Sequence, residues 1–173
     1  MNLVPMRPPA AWARIPPDPA LPPERREWHA NWPHKDYVEL AAEEAAASSA
    51  HLRVRESLHQ WRLDYLAEDT ELVTAELVTN AVTATRKIAW ELGRPPVRLW
   101  TVGSRQAVVI LVWDACAERP RLGAPGLEEE SGRGLVLVDA LAEWGHYQAA
   151  SAFGGKVTWA QVPKPRTTIE ANS

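Results

Sequence analysis

The stretch Ala107–Trp113, reading AVVILVW, constrains this chain more than any other, because it is apolar at every position and rich in β-branched residues. Such a run reads as a strand apolar on both faces, which belongs at the centre of a sheet. Val97–Val102 has the same β-branched character and is separated from it only by Gly103, Ser104, Arg105 and Gln106, so the two read as an antiparallel hairpin. Two further strands are expected near Gly145–Ala149 and Lys156–Val162, joined across the Gly154-Gly155 turn.

Helices surround these strands in the sequence. Tyr37–Trp61 is rich in Ala, Glu, Leu and Arg without Gly or Pro, and Asp36 is available as an N-cap, so one long helix is expected there. Leu40, Ala47, Leu52, Leu58 and Trp61 are its expected buried positions. A second helix is expected to begin between Asp64 and Thr70 and to run to Leu92, where Gly93 and the Pro95-Pro96 pair stop it. A third spans Gly134–Trp144. Helices segregated from hairpin-connected strands indicate an α+β fold, a two-layer α/β sandwich. The division expected is a proline-rich arm over 1–35, a folded domain over 36–163 and a short tail over 164–173. Nine of the 15 prolines fall in the arm, which has no glycine and carries Trp12, Trp28 and Trp32. Those tryptophans fit docking on the domain or on another protein; an extended tail with incidental tryptophans is the plain alternative.

Composition excludes several classes of function. With 19 basic and 22 acidic side chains and a net charge of -3, there is no electrostatic footprint for gripping a nucleic-acid backbone. No apolar run approaches the ~20 residues a membrane span needs. One cysteine, Cys116, and no secretory leader pattern make a reducing cytoplasm the expected compartment. The five histidines show no metal-ligand spacing, and no GxSxG elbow is present, so neither a structural metal nor hydrolase chemistry is expected.

Three clusters could carry chemistry. In ELVTAELVTNAV, at 100° per residue, Leu77, Val78, Ala81 and Val82 share one side of the second helix, while Glu76, Thr79, Asn80 and Thr83 gather on the other. Glu76 and Asn80 are one turn apart, so a carboxylate and an amide carbonyl can converge on a single ligand; the same spacing also occurs on ordinary solvated faces. Asp114 follows the central strand and precedes a long Pro-, Gly- and Glu-rich stretch over 115–131, where it can accept from an exocyclic amine or simply end the strand in a turn. Ser131-Gly132-Arg133-Gly134-Leu135 opens the third helix, and closely spaced glycines at a helix N-terminus can cradle a phosphate or merely permit a tight turn.

Taken in order, these clusters resemble the ATP-binding fold shared by gyrase, heat-shock chaperone, histidine kinase and mismatch-repair ATPases. Within that superfamily they look like the small anti-sigma-factor serine kinases of bacteria. ELVTNAV is similar to that family's N-box, VWDACAERP to its first glycine box and ESGRGLVLVDALAEWG to its second, over about residues 37–162. The resemblance implies a histidine-kinase-like ATPase domain with a mixed, mostly antiparallel sheet and helices on one face. It implies ATP and Mg²⁺ as cofactors, with Asn80 as the Mg²⁺ ligand and Glu76 as general base. Asp114 would read the adenine amino group, and Gly132, Arg133, Gly134 and Leu135 would form the phosphate cradle. It further implies a sigma factor or a small antagonist protein as partner, phosphorylation of the antagonist on serine, and in many members a homodimer.

The chain departs from the family's pattern at Cys116, where the first box usually has glycine, and at Thr83-Ala84, where a basic residue and histidine are common. It also departs at Val157-Thr158, where the family often reads Thr-Val. Alternation along a strand implies that this last exchange moves the hydroxyl to the opposite face. The alternative is therefore a catalytically weak or inactive module that sequesters a sigma factor or other regulator.

Overall fold

In the computed structural model, residues 14–20, 22, 31–89, 93–120, 133–149 and 154–165 are described. Among them are β1 (His34–Leu40), α1 (Ala46–Gln60), a 3₁₀ turn (Asp64–Leu66), α2 (Ala67–Arg86), β2 (Val97–Gly103), β3 (Ala107–Asp114), α3 (Arg133–Leu141), β4 (Glu143–Gln148) and β5 (Lys156–Pro163). The strands form one sheet in the order β1-β2-β3-β5-β4. Every pairing is antiparallel, so the expected mixed sheet is corrected to a uniformly antiparallel one. β3 is the middle strand and is buried along its whole length, as its apolar run requires.

Alternation sorts the sheet into two faces. Val108, Ile110, Val112, Ala160 and Val162 point to the helical side, where they meet Val54 and Leu58 of α1, Val73, Leu77 and Val78 of α2, and Leu135 and Val138 of α3. The fold is thus α+β with a helical layer on one face of an open five-stranded sheet. The other face holds Trp100, Val102, Val109, Leu111, Trp113, Tyr147 and Val157, and Ile15 and Trp32 pack against it. Tyr147 Oη donates to the Pro16 carbonyl at 2.5 Å, which pins part of the proline-rich segment to the rear of its own sheet. Trp12 and Trp28 lie outside the described residues, as do residues 121–132 and the tail beyond Pro165.

The largest difference from the sequence expectation is at Tyr37–Trp61, which is not one helix. Its first part is β1, paired with β2 so that Tyr37 faces Trp100 and Leu40 faces Val97, and α1 begins only at Ala46. Strand pairing overrides a composition that favours helix. Asp36 is accordingly no N-cap. Both its carboxylate oxygens accept from Arg53 at 2.7 Å and one also from Ser57 Oγ at 2.7 Å, tying β1 to α1. Leu40 and Leu58 are buried and Ala47 and Trp61 partly so, but Leu52 is 62% exposed. It lies off the Ala46, Ala50, Val54, Leu58 stripe that α1 turns to the core. α2 ends at Arg86, short of the expected Leu92.

Candidate functional site

The polar stripe of α2 carries the first half of the site. Leu77, Val78, Ala81 and Val82 are buried, and Glu76 and Asn80, on the opposite side, are partly exposed. α3 packs on α2 so that its first turn lies against Glu76. A Cβ added at Gly134 would lie 2.0 Å from Glu76 Oε2, so only glycine leaves room for the carboxylate there. A carboxylate beside the first turn of a helix is favoured by the free N–H groups and positive dipole end. Asn80 Nδ2 is buried and has no hydrogen-bond partner among the described residues. An orphaned buried amide is costly, and a half-turn of the same group offers its carbonyl at that spot instead.

The structure thus brings Glu76 against Gly134. Gly132 lies outside the described residues, as does the side chain of Arg133. Leu135 is buried in the core, so its backbone is all that it can offer a ligand.

The second half is built where β3 ends beside the start of β5. Asp114 is 1% exposed and stands in register with Lys156. Its Oδ1 accepts from Lys156 Nζ at 2.8 Å and from the Cys116 N–H at 2.9 Å. Lys156 Nζ also donates to the Cys116 carbonyl at 3.0 Å, and the lysine is 4% exposed. Burial pushes the Asp114 carboxyl above its ordinary value, against the opposing pull of the Lys156 charge and hydrogen bond and of the Cys116 N–H. Gly155 makes the approach possible. Its φ is +67°, and a Cβ there would lie 2.1 Å from the Asp114 carbonyl oxygen.

Thr158 falls on the same face as Asp114, since Ala160 and Val162 further along β5 point to the helical layer while Val157 points to the rear. The Val-Thr order thus places the hydroxyl on the side of the site. Lys156 is the site residue that reading the sequence for motifs misses. The ion pair spans 42 positions, and only the β3–β5 register makes the two residues neighbours.

The two halves differ in their fit to the implied groups. The amide of Asn80 is a hard oxygen ligand of the kind Mg²⁺ takes, and Mg²⁺ ordinarily needs only one or two protein groups besides phosphate oxygens and water. Among the described residues no three His, Cys, Asp or Glu side chains cluster as a metal site, which that mode of binding does not require. Asp114, by contrast, already accepts from two donors on one of its oxygens. Among the described residues no helix is long and apolar enough to cross a membrane. No family model matches the chain, and no curated protein sequence matches it.

Proposed function

We propose that this protein is an ATP-binding regulator of the histidine-kinase-like ATPase type, a cytoplasmic anti-sigma factor with serine-kinase activity toward a small antagonist protein. One observation carries the reading: Glu76 against Gly134, with the orphaned Asn80 amide one turn away on the same stripe of α2. These are the groups that the resemblance assigns to base, cradle and metal ligand. Asn80 would hold Mg²⁺, which supplies charge neutralisation for the phosphates when bound. The Glu76 carboxylate is the proton acceptor: as the γ-phosphoryl passes to the serine Oγ of the antagonist, Glu76 takes the hydroxyl proton and ADP leaves.

The decisive experiment is calorimetric titration with a non-hydrolysable ATP analogue, with and without Mg²⁺. Mg²⁺-dependent binding that disappears in Asn80→Ala supports the assignment, and unchanged binding in that variant overturns it. Glu76→Gln should still bind the analogue but fail to phosphorylate the antagonist; continued transfer removes Glu76 as base. The second reading, an inactive module that sequesters its regulator, is favoured by the Lys156 ammonium on Asp114.

A further inference from the structure

The face of the sheet away from the helices is built from aromatic rings and carries a segment of this chain's own. Trp100, Trp113 and Tyr147 are buried there, and Tyr37 and Trp159 pack beside them. Residues 15–18 belong to no helix or strand. Ile15 packs into the aromatic cluster, Pro16 is buried, and the Tyr147 hydroxyl donates to the Pro16 carbonyl at 2.5 Å. Burial, with the Asp18 charge nearby, holds that hydroxyl above its ordinary pKa, so it stays a donor. Neither Pro16 nor Pro17 has an N–H, which leaves the carbonyls as the segment's backbone groups. Asp18 then closes the seated unit with a turn, its Oδ1 accepting from the Ala20 N–H at 2.8 Å.

Aromatic-lined grooves recognise proline-rich segments through this chemistry, with flat rings against apolar side chains and a donor on a carbonyl that no secondary structure uses. Proline preorganises the segment, so seating it costs little conformational entropy. The face also offers more than residues 15–18 take up. Trp159 is partly exposed and lies against Gly145, and its indole N–H has no partner among the described residues. We propose that this face is a binding site for an extended proline-rich segment of a partner protein, with residues 15–17 as its tethered occupant. The helical layer is on the opposite face, so occupancy does not depend on the nucleotide-site reading. Exchange breaks no helix or strand, and the arriving segment covers again the rings that the departing one exposes. The arm of a second copy has only the same contacts to offer and pays the entropy of association besides, which favours a foreign segment.

The probe is a fluorescein-labelled peptide, ARIPPDPA, with the sequence of residues 13–20. It is titrated into the full chain as wild type, Ile15→Asp and the milder Ile15→Ala, with folding checked by circular dichroism. Ile15→Asp, its own arm unseated, should bind the peptide about tenfold or more tighter than wild type, as for a face open in at most about a tenth of wild-type molecules. Alanine in place of both adjacent prolines of the peptide should weaken binding about tenfold, and Tyr147→Phe added to Ile15→Asp about fivefold. Deca-proline, foreign to this chain, should compete with the labelled peptide. No binding by a folded Ile15 variant at millimolar peptide overturns the proposal and leaves the segment a structural strap. Equal binding of the alanine peptide overturns the preference for proline. Failure of deca-proline to compete overturns a foreign occupant. So does a concentration-dependent wild-type dimer, read by sedimentation, that Ile15→Asp abolishes, because the occupant is then the arm of a second copy. Should neither variant fold, wild type decides: indole N–H resonances of Trp113 and Trp159 that shift with millimolar deca-proline support the site, and unmoved resonances overturn it.

Discussion

The two halves of the site use carboxylates in opposite ways. At the α2–α3 end, Glu76 sits partly exposed against a glycine and the buried Asn80 Nδ2 has no partner among the described residues. At the β3–β5 end, Asp114 is buried, paired and closed over by Gly155. Unsatisfied groups on a rigid helix mark where binding free energy remains to be gained, and a satisfied buried pair marks where it has been used in folding. The α2–α3 end should therefore respond to substitution mainly in function, and the β3–β5 end mainly in stability.

Breaking the Asp114–Lys156 pair is the strongest test of that contrast. Asp114→Ala leaves a buried ammonium and should cost about 3–5 kcal/mol in denaturant unfolding, whereas Asp114→Leu combined with Lys156→Met should recover most of the loss. If the double variant is no better than the single one, the pair is not what the β3–β5 end depends on. Gly155→Ala comes next. Its added Cβ meets backbone, which cannot turn aside, and its φ lies in the left-handed region, so about 2 kcal/mol or more should be lost. A melting temperature unchanged from wild type would show that the two strands can part there at little cost.

The acid limb of stability sharpens the comparison further. At Asp36 burial works to raise the carboxyl, but the hydrogen bonds from Arg53 and Ser57 and the Arg53 charge outweigh it and hold the group below 3.8. Its stabilisation is complete above that value and is lost as pH falls through the folded value. Asp114 is displaced upward, so its contribution has the opposite slope, falling as pH rises from 3.8 through its folded value. Asp36→Asn should flatten the loss of stability on acidification, read as unfolding midpoint against pH, and an unaltered acid limb would rule out Asp36 as its source. Smallest in stability is Gly134→Ala. The atom it meets is the end of the Glu76 side chain, which can swing away, so the change in unfolding free energy should stay within about 1 kcal/mol. On the kinase reading proposed above, transfer to the antagonist should nevertheless fall, because Glu76 is displaced; retained activity would show that the glycine serves the backbone alone.

Much of the fold was legible because its signals are local. AVVILVW is apolar on both faces and became the middle strand, and the two-sided pattern of ELVTAELVTNAV became a helix with its polar stripe outward. The first helix misled. Residues 37–40 carry helix-compatible side chains, and only the partner strand at Val97–Trp100 makes them extended. Leu52 misled for a related reason, since the true start of α1 at Ala46 sets which side of the helix is inside.

By itself the sequence determined most element types, the central strand and the placing of Glu76 and Asn80 on one stripe of α2, because periodicity acts over a few residues. The tertiary structure decided the rest. It placed Lys156 on Asp114, seated Ile15 and Trp32 on the rear of the sheet and turned Asp36 from a cap into an anchor for α1. Each is a contact between residues distant in the chain, and its energy exists only once strand register and helix packing have brought the two together.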